Sequence, residues 1–149
     1  MLIVPMSGAH IDAVAQLRVE TFFVGSSRTQ EIDAEGLSHL IAGDGFEAAF
    51  VCEVDGHAVG SCLFVRHELD PVHELTPWLA GLVVAPAFRR RGIGAQLVEA
   101  VEKHARRVGC SELYLYTDEV EPFYAKLGWE TADRFTTNGE PSVLMTRTL

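Results

Sequence analysis

Cysteine is scarce in this chain, and so is positive charge. The three cysteines, Cys52, Cys62 and Cys110, are odd in number and form no CxxC pair, which argues against a disulfide framework or a zinc knuckle. Cys52 and Cys62 sit inside apolar runs and read as small core residues, so a reduced, cytoplasmic setting is expected. Lysine and arginine total 12 against 21 aspartates and glutamates, a formal net charge of −9. Nucleic acid, whose phosphates need a basic face, is therefore not an expected partner. No apolar stretch approaches the roughly 18 residues of a membrane span, so no membrane partner is expected either. The opening Met1-Leu2-Ile3-Val4-Pro5 lacks a basic n-region, and its apolar run is too short for a signal peptide. There is no low-complexity tract or linker. His67-Glu68-Leu69 recurs as His73-Glu74-Leu75, too short a match to be an architectural repeat.

What is present suits a single domain spanning 1–149. At 149 residues, with 48% hydrophobic and 22% charged, the chain can build one core. Leu2–Met6 reads as a strand. Ser7 can cap a helix through Ile11, Val14, Ala15, Leu17 and Arg18, ending near Gly25-Ser26-Ser27. A second helix is expected over Glu31–Ala42. Ala49–Val54 and Ala58–Val65 are β-rich runs around Asp55-Gly56, a strong hairpin signal. After a loop, Arg66–Pro77, the apolar run Trp78–Ala85 suggests a strand buried on both faces. Gly92–Val108 is the clearest helix, with Ile93, Leu97, Val101, Ala105 and Val108 on one stripe and Gly109 at its end. Glu112–Thr117 reads as a strand, and Pro122–Leu127 as a short helix with proline in its first turn. Trp129–Phe135 and Ser142–Arg147 close the chain as strands around Asn138-Gly139. The order β-α-α-β-β-β-α-β-α-β-β predicts an α/β fold, a mixed sheet with helices on its faces and one strand-helix-strand crossover at its centre.

The chemistry concentrates where that central strand meets the long helix, in Leu82-Val83-Val84-Ala85-Pro86-Ala87-Phe88-Arg89-Arg90-Arg91-Gly92-Ile93-Gly94-Ala95. A helix N-terminus leaves amide N–H groups unpaired and carries about half a positive charge. Glycines let that backbone approach an anion, and arginines add charge and donors. A phosphate or pyrophosphate is the natural ligand. A P-loop would need GxxxxGK[ST], which does not occur. A dinucleotide fingerprint fails because Leu97 stands where its third glycine would be.

Arg89-x-x-Gly92-x-Gly94 resembles the [R/Q]-x-x-G-x-[G/A] signature of the GNAT acetyltransferase superfamily. Pro122-Phe123-Tyr124-Ala125-Lys126-Leu127-Gly128-Trp129-Glu130 is similar to that family's FY-x-K-L-G-F segment. The order of elements agrees with the family's fold over nearly the whole chain. The resemblance implies a central, mostly antiparallel sheet in which two parallel strands splay apart, with helices on both faces. Acetyl-coenzyme A would lie in the gap as cosubstrate, its pyrophosphate on the amides of Arg89, Arg90, Arg91, Gly92, Ile93, Gly94 and Ala95. Its pantetheine arm would run along Leu82, Val83 and Val84, where one amide would stabilise the oxyanion. One departure stands out. Many family members carry an asparagine before the tyrosine helix, where this chain has Thr117-Asp118-Glu119-Val120-Glu121.

On residues alone, Arg89–Arg91 could be a solvated basic turn, and Tyr124 reads first as a core aromatic beside Phe123 and Leu127. With the resemblance, Tyr124 becomes the expected general acid. Glu74, in the loop entering the central strand, becomes a candidate base, with Asp70 its nearest competitor and an ordinary surface glutamate an equal reading. His67, His73 and the carboxylates around them lack a recognised metal-ligand spacing, so no metal is expected. The implied acceptor is a small-molecule or peptide amine, of cationic character given the acidic chain, with a homodimer left open. Phe22, Phe23, Glu68, Asp70, Trp78, Asp118 and Glu119 are the aromatic and acidic residues expected near it. Two other classes remain: a coenzyme A-binding module without turnover, and a metal-dependent hydrolase.

Overall fold

The computed structural model describes residues 1–68 and 74–149. Among these residues seven strands and four α-helices alternate in the expected order. They are β1 (Leu2–Pro5), α1 (Ile11–Phe22), α2 (Gln30–Ile41), β2 (Ala48–Val54), β3 (His57–Val65) and β4 (Trp78–Val84), then α3 (Ile93–Arg107), β5 (Glu112–Thr117), α4 (Glu121–Lys126), β6 (Glu130–Thr137) and β7 (Glu140–Thr148). Short 3-10 turns at Gly8–His10 and Pro86–Phe88 lead into α1 and follow β4. Both hairpins fall where the turn chemistry puts them. Asp55 and Gly56 have φ of 52° and 78°, and Asn138 and Gly139 have 52° and 80°. Positive φ at both central residues is what a two-residue turn needs to match strand twist.

The strands form one sheet in the order β1-β2-β3-β4-β5-β7-β6. All neighbours are antiparallel except β4 and β5, which are parallel and joined by the α3 crossover. A parallel pair cannot close with a tight turn, and α3 fills that need. One face of the sheet packs against α3: Ile93, Leu97, Val101 and Ala105 are buried with Phe50, Cys62, Phe64 and Leu79. The other face lies under α1 and α2, where Val14, Ala15 and Leu37 bury Val51, Leu63 and Ala80.

β4 departs from simple alternation. Its register with β3 runs Leu63↔Ala80 and then Ser61↔Val83, so Gly81 and Leu82 together oppose Cys62. This is a β-bulge, and Gly81 takes the positive φ of 62° within it. An inserted residue reverses the side-chain parity downstream. Leu79 faces α3 and Ala80 faces α1 and α2, yet Leu82 and Val84 again pack toward the α3 side. The expectation of a strand buried on both faces therefore holds only for its first half. Trp78, Leu79 and Ala80 are all buried, whereas in the second half Val83 is buried and Gly81, Leu82 and Val84 are half-buried. The reason is the partner strand: β4 and β5 share the register pair Trp78↔Tyr114, and the Tyr114 N–H donates to Pro77 O at 3.1 Å. Beyond that point the two strands separate.

Candidate functional site

The separation leaves a gap bounded by the second half of β4, the end of β5, the start of α3 and the short helix α4. Ala85 N–H donates to Val59 O on β3 at 2.8 Å. Strand groups alternate in direction, so the amide and carbonyl of Val84 point the other way, into the gap. The carbonyl is taken by Arg89, whose Nε donates to it at 2.9 Å. Arg89 thus folds back onto the strand it follows, and its guanidinium stands at the mouth of the gap.

The rest of the basic turn is open. Arg90 has φ of 64°, and Gly92, the residue before α3, has φ of 79°. A Cβ on Gly92 would meet nothing within 4 Å, so the position opens onto free space, and its backbone is one that glycine adopts without strain. Gln96 N–H closes the first helical bond onto Gly92 O at 3.2 Å. The N–H groups of the residues before it are the orphan donors of a helix start. Arg91 lies against the Phe88 ring, 5.2 Å from its centroid, and both Arg90 and Arg91 are exposed. Ile93 belongs elsewhere as a side chain, because it is buried in the core; only its amide faces the turn.

The two signature segments meet physically. A Cβ on Gly94 would lie 3.3 Å from Phe123 Cζ and 3.8 Å from Leu82 Cδ2, so this glycine lets α4 close down on the start of α3. Tyr124, next along α4, is 6% exposed, with the Phe123 ring 5.0 Å away and the Trp129 ring 6.0 Å away. Burial raises its pKa above the usual tyrosine value, and the nearby Cys62 thiol adds to the shift. Tyr124 therefore stays protonated across the working pH range. Behind it, Trp129 Nε1 donates to Glu102 Oε2 at 3.0 Å, and Arg147 Nη1 donates to Gly128 O at 3.0 Å. Gly128 has φ of 96°, and a Cβ there would collide with the Arg147 guanidinium. These contacts anchor the C-terminal end of α4.

The acidic candidates separate. Glu74 is exposed. Asp70 and His73 lie outside the described residues. Glu68 is solvent-exposed as a residue, yet crowding around its carboxyl raises its pKa, while the charge of Arg18 pulls it down. Tyr116 feels the charges of Glu68 and Asp118, and its pKa is raised by burial first and by those two second. Glu68 is thus brought into electrostatic range of the end of β5, a placement that sequence spacing does not signal. Asp118, Glu119 and Glu121 line a cavity of about 480 Å³ with Arg134, Phe135 and Ser142. Phe22 is exposed and Phe23 half-buried at the end of α1. Trp78 is not available to an acceptor. It is fully buried, its ring tilted against Tyr114 and its Nε1 donating to Leu75 O at 2.6 Å.

Residues 11–129 match the model of the acetyltransferase (GNAT) family. An aminoglycoside N(6')-acetyltransferase type 1 of Salmonella typhimurium is 32% identical over 94 residues, which is 58% of this chain and 65% of that protein, short of two thirds of its length. Among solved structures, an N-acetyltransferase from Staphylococcus aureus Mu50 superposes with a TM-score of 0.82 at 16% identity, covering 99% of this chain and 97% of that one. An aminoglycoside 6'-N-acetyltransferase complexed with coenzyme A superposes with a TM-score of 0.78 at 19% identity, over 99% and 97% of the two chains.

Proposed function

The chain belongs to the acetyltransferase (GNAT) family, and on that premise we propose that it transfers the acetyl group of acetyl-coenzyme A to a primary amine of a cationic small molecule or peptide, by direct attack in a ternary complex. The observation that carries this reading is the open run of donors at Arg90–Ala95, set beside a strand whose gap-facing amide has no neighbouring strand to bond. Unpaired amides at a helix start, two glycines and three arginines fit a pyrophosphate. A strand edge that stays free past Trp78 fits an extended amide-bearing arm.

In this reading the N–H of Val84, or of its neighbour across the bulge, donates to the thioester oxygen as charge builds on it. Such preorganised donors typically contribute several kcal/mol to a rate. As nitrogen bonds to the carbonyl carbon and the carbon–sulfur bond breaks, Tyr124 gives its proton to the departing sulfur. The burial that holds the phenol protonated also makes a thiolate in the same gap more basic, so donor and acceptor stay matched. The proton lost by the ammonium goes to a carboxylate of the loop before β4, directly or through water. Glu74 is the candidate by sequence position; Glu68 is favoured by its raised pKa and its nearness to Tyr116. A cationic acceptor is supported by the net charge of −9, by the carboxylates of the 480 Å³ cavity and by the aminoglycoside enzymes among the relatives. The cytoplasmic assignment rests on three free cysteines.

Calorimetry with coenzyme A and turnover with an aminoglycoside, a diamine and a peptide amine test the reading. Coenzyme A should bind and raise the melting temperature, and at least one amine should be acetylated. Tyr124→Phe should lower kcat by about 10²–10⁴-fold with little change in coenzyme A affinity. No binding at millimolar coenzyme A, or turnover of Tyr124→Phe within about threefold of wild type, would overturn the reading or this role in it.

A further inference from the structure

Arg18 is an arginine that neither signature segment explains. Projecting from α1 toward the sheet, its guanidinium is held by Asp33 of α2, with Nε to Oδ2 at 2.9 Å and Nη2 to Oδ1 at 3.4 Å. Arg28 Nε binds the same carboxylate at 2.8 Å, and Asp33 is completely buried. The Phe22 and Phe23 rings flank the Arg18 guanidinium, each centroid 5.8 Å from Cζ. Two of its nitrogens are therefore fixed in direction. The third, Nη1, is buried with no hydrogen-bond partner, and it occupies the space that a Cβ on Gly81 would take.

Gly81 is the bulged residue at which β4 reverses its parity, three residues past its register pair with β5 at Trp78. Ser61 Oγ is also buried without a partner. Ser61 opposes Val83 and shares its sheet face with Leu63, which packs under α1 and α2. Of the three buried side-chain polar atoms without a hydrogen-bond partner among the described residues, Arg147 Nε lies elsewhere, and the other two share one sheet face beside one bulge, where each carries a desolvation cost. Such a cost persists where the geometry is over-determined for function. A shorter side chain at position 18 would pair with Asp33 and leave Gly81 free to relax toward regular pleating, which would turn Leu82 and Val84 away from the gap.

We propose that Arg18 is a positioning residue for acetyl transfer: clamped by Asp33, it braces Gly81 and so holds the β4 bulge in the register that presents the Leu82–Val84 backbone to the thioester. Arg18 touches no reacting atom; its charge also reaches Glu68, which a lysine at position 18 preserves in sign, and its positioning role is exerted through the strand. The assignment rests on the acetyl-transfer reading of this gap, and one of its readouts is independent of turnover.

The test is Arg18→Lys, which keeps a positive charge for Asp33 but withdraws the forked Nη1 from Gly81, read first by amide NMR of the full chain. The amides of Gly81, Leu82 and Val84 should shift while those of Gly92–Ala95 stay in place. Coenzyme A affinity by calorimetry should stay within threefold. With an aminoglycoside and acetyl-coenzyme A both saturating, kcat should fall at least tenfold. Gly81→Ala attacks the contact from the other side, and its effect should be smaller in the Arg18→Lys background than in wild type, because the overlap is gone. Unmoved Leu82–Val84 amides would overturn the proposal, as would multiplicative effects of the two substitutions. A raised KM for the aminoglycoside at unchanged kcat would make Arg18 an acceptor contact instead. Absence of turnover in wild type, with the amide shifts seen as expected, would count against the acetyl-transfer reading and leave the brace standing.

Discussion

Arg18 and Arg28 converge on one buried carboxylate, whereas Arg89, Arg90 and Arg91 crowd a turn that offers them none among the described residues. The first group is spent on structure. Two guanidiniums share Asp33 inside the fold, where an unmatched charge would cost several kcal/mol. The second group is held apart in solvent, where keeping three like charges together costs less and leaves them free to meet an anion. Counting arginines does not separate the two groups; finding their carboxylates does.

That contrast can be broken from the buried side. Asp33→Ala strands two arginines, one of them almost fully enclosed, and should destabilise the fold by about 3–5 kcal/mol, read by chemical denaturation. A loss below about 1 kcal/mol would mean that water reaches the pair and that the buried cluster is no different from a surface one. At the open turn the signature should invert. Arg89→Ala or Arg91→Ala should leave stability within about 0.5 kcal/mol but weaken coenzyme A binding by about tenfold, since a charge-assisted contact is worth about 1.5–3 kcal/mol. The loss should shrink as salt is raised. Equal affinity in low and high salt would show that these arginines do not meet phosphate.

A sixth arginine lies between the two groups and sharpens the scale. Arg66 pairs with Asp44 at 3.0 Å and lies 4.4 Å from the Phe46 ring centroid, at the surface. Arg66→Ala should lower the melting temperature by no more than a few degrees, because exposed pairs are worth little. The smallest effect belongs to Asp44 itself. The Phe46 N–H first, and Arg66 second, hold its carboxyl below the ordinary value. A depressed folded pKa stabilises above the unfolded value near 3.9, and that contribution is lost as pH falls through the folded one. Following the Asp44 resonance, the titration midpoint should move up in Arg66→Ala, though only part of the way, since the Phe46 contact remains. An unchanged midpoint would assign the whole shift to the backbone.

Much of the fold was legible because its signals are local. Asp55-Gly56 and Asn138-Gly139 announce their turns, the Ile93-to-Ala105 stripe announces α3, and the strands lie within a few residues of their expected bounds. The pairing of the two signature segments was legible as a pattern, and its cause is visible only in the fold, where Gly94 admits Phe123. Trp78 was misjudged because an aromatic near a cleft looks the same in sequence whether it faces inward or outward. Glu68 and Glu74 look alike in sequence, because spacing along a loop says nothing about which carboxylate comes within electrostatic range of Tyr116.

The order of elements, the helix start opened by glycines and the acidic balance of the surface were determined by the sequence alone, since each depends on residues within a turn or two of one another or on a simple count. The bulge at Gly81, the parting of β4 from β5 and the division of the arginines into matched and unmatched were decided by tertiary structure. Arg18 reaches Asp33 across 15 residues and Gly81 across 63, and no local period encodes a contact between α1, α2 and a strand that the chain has yet to form.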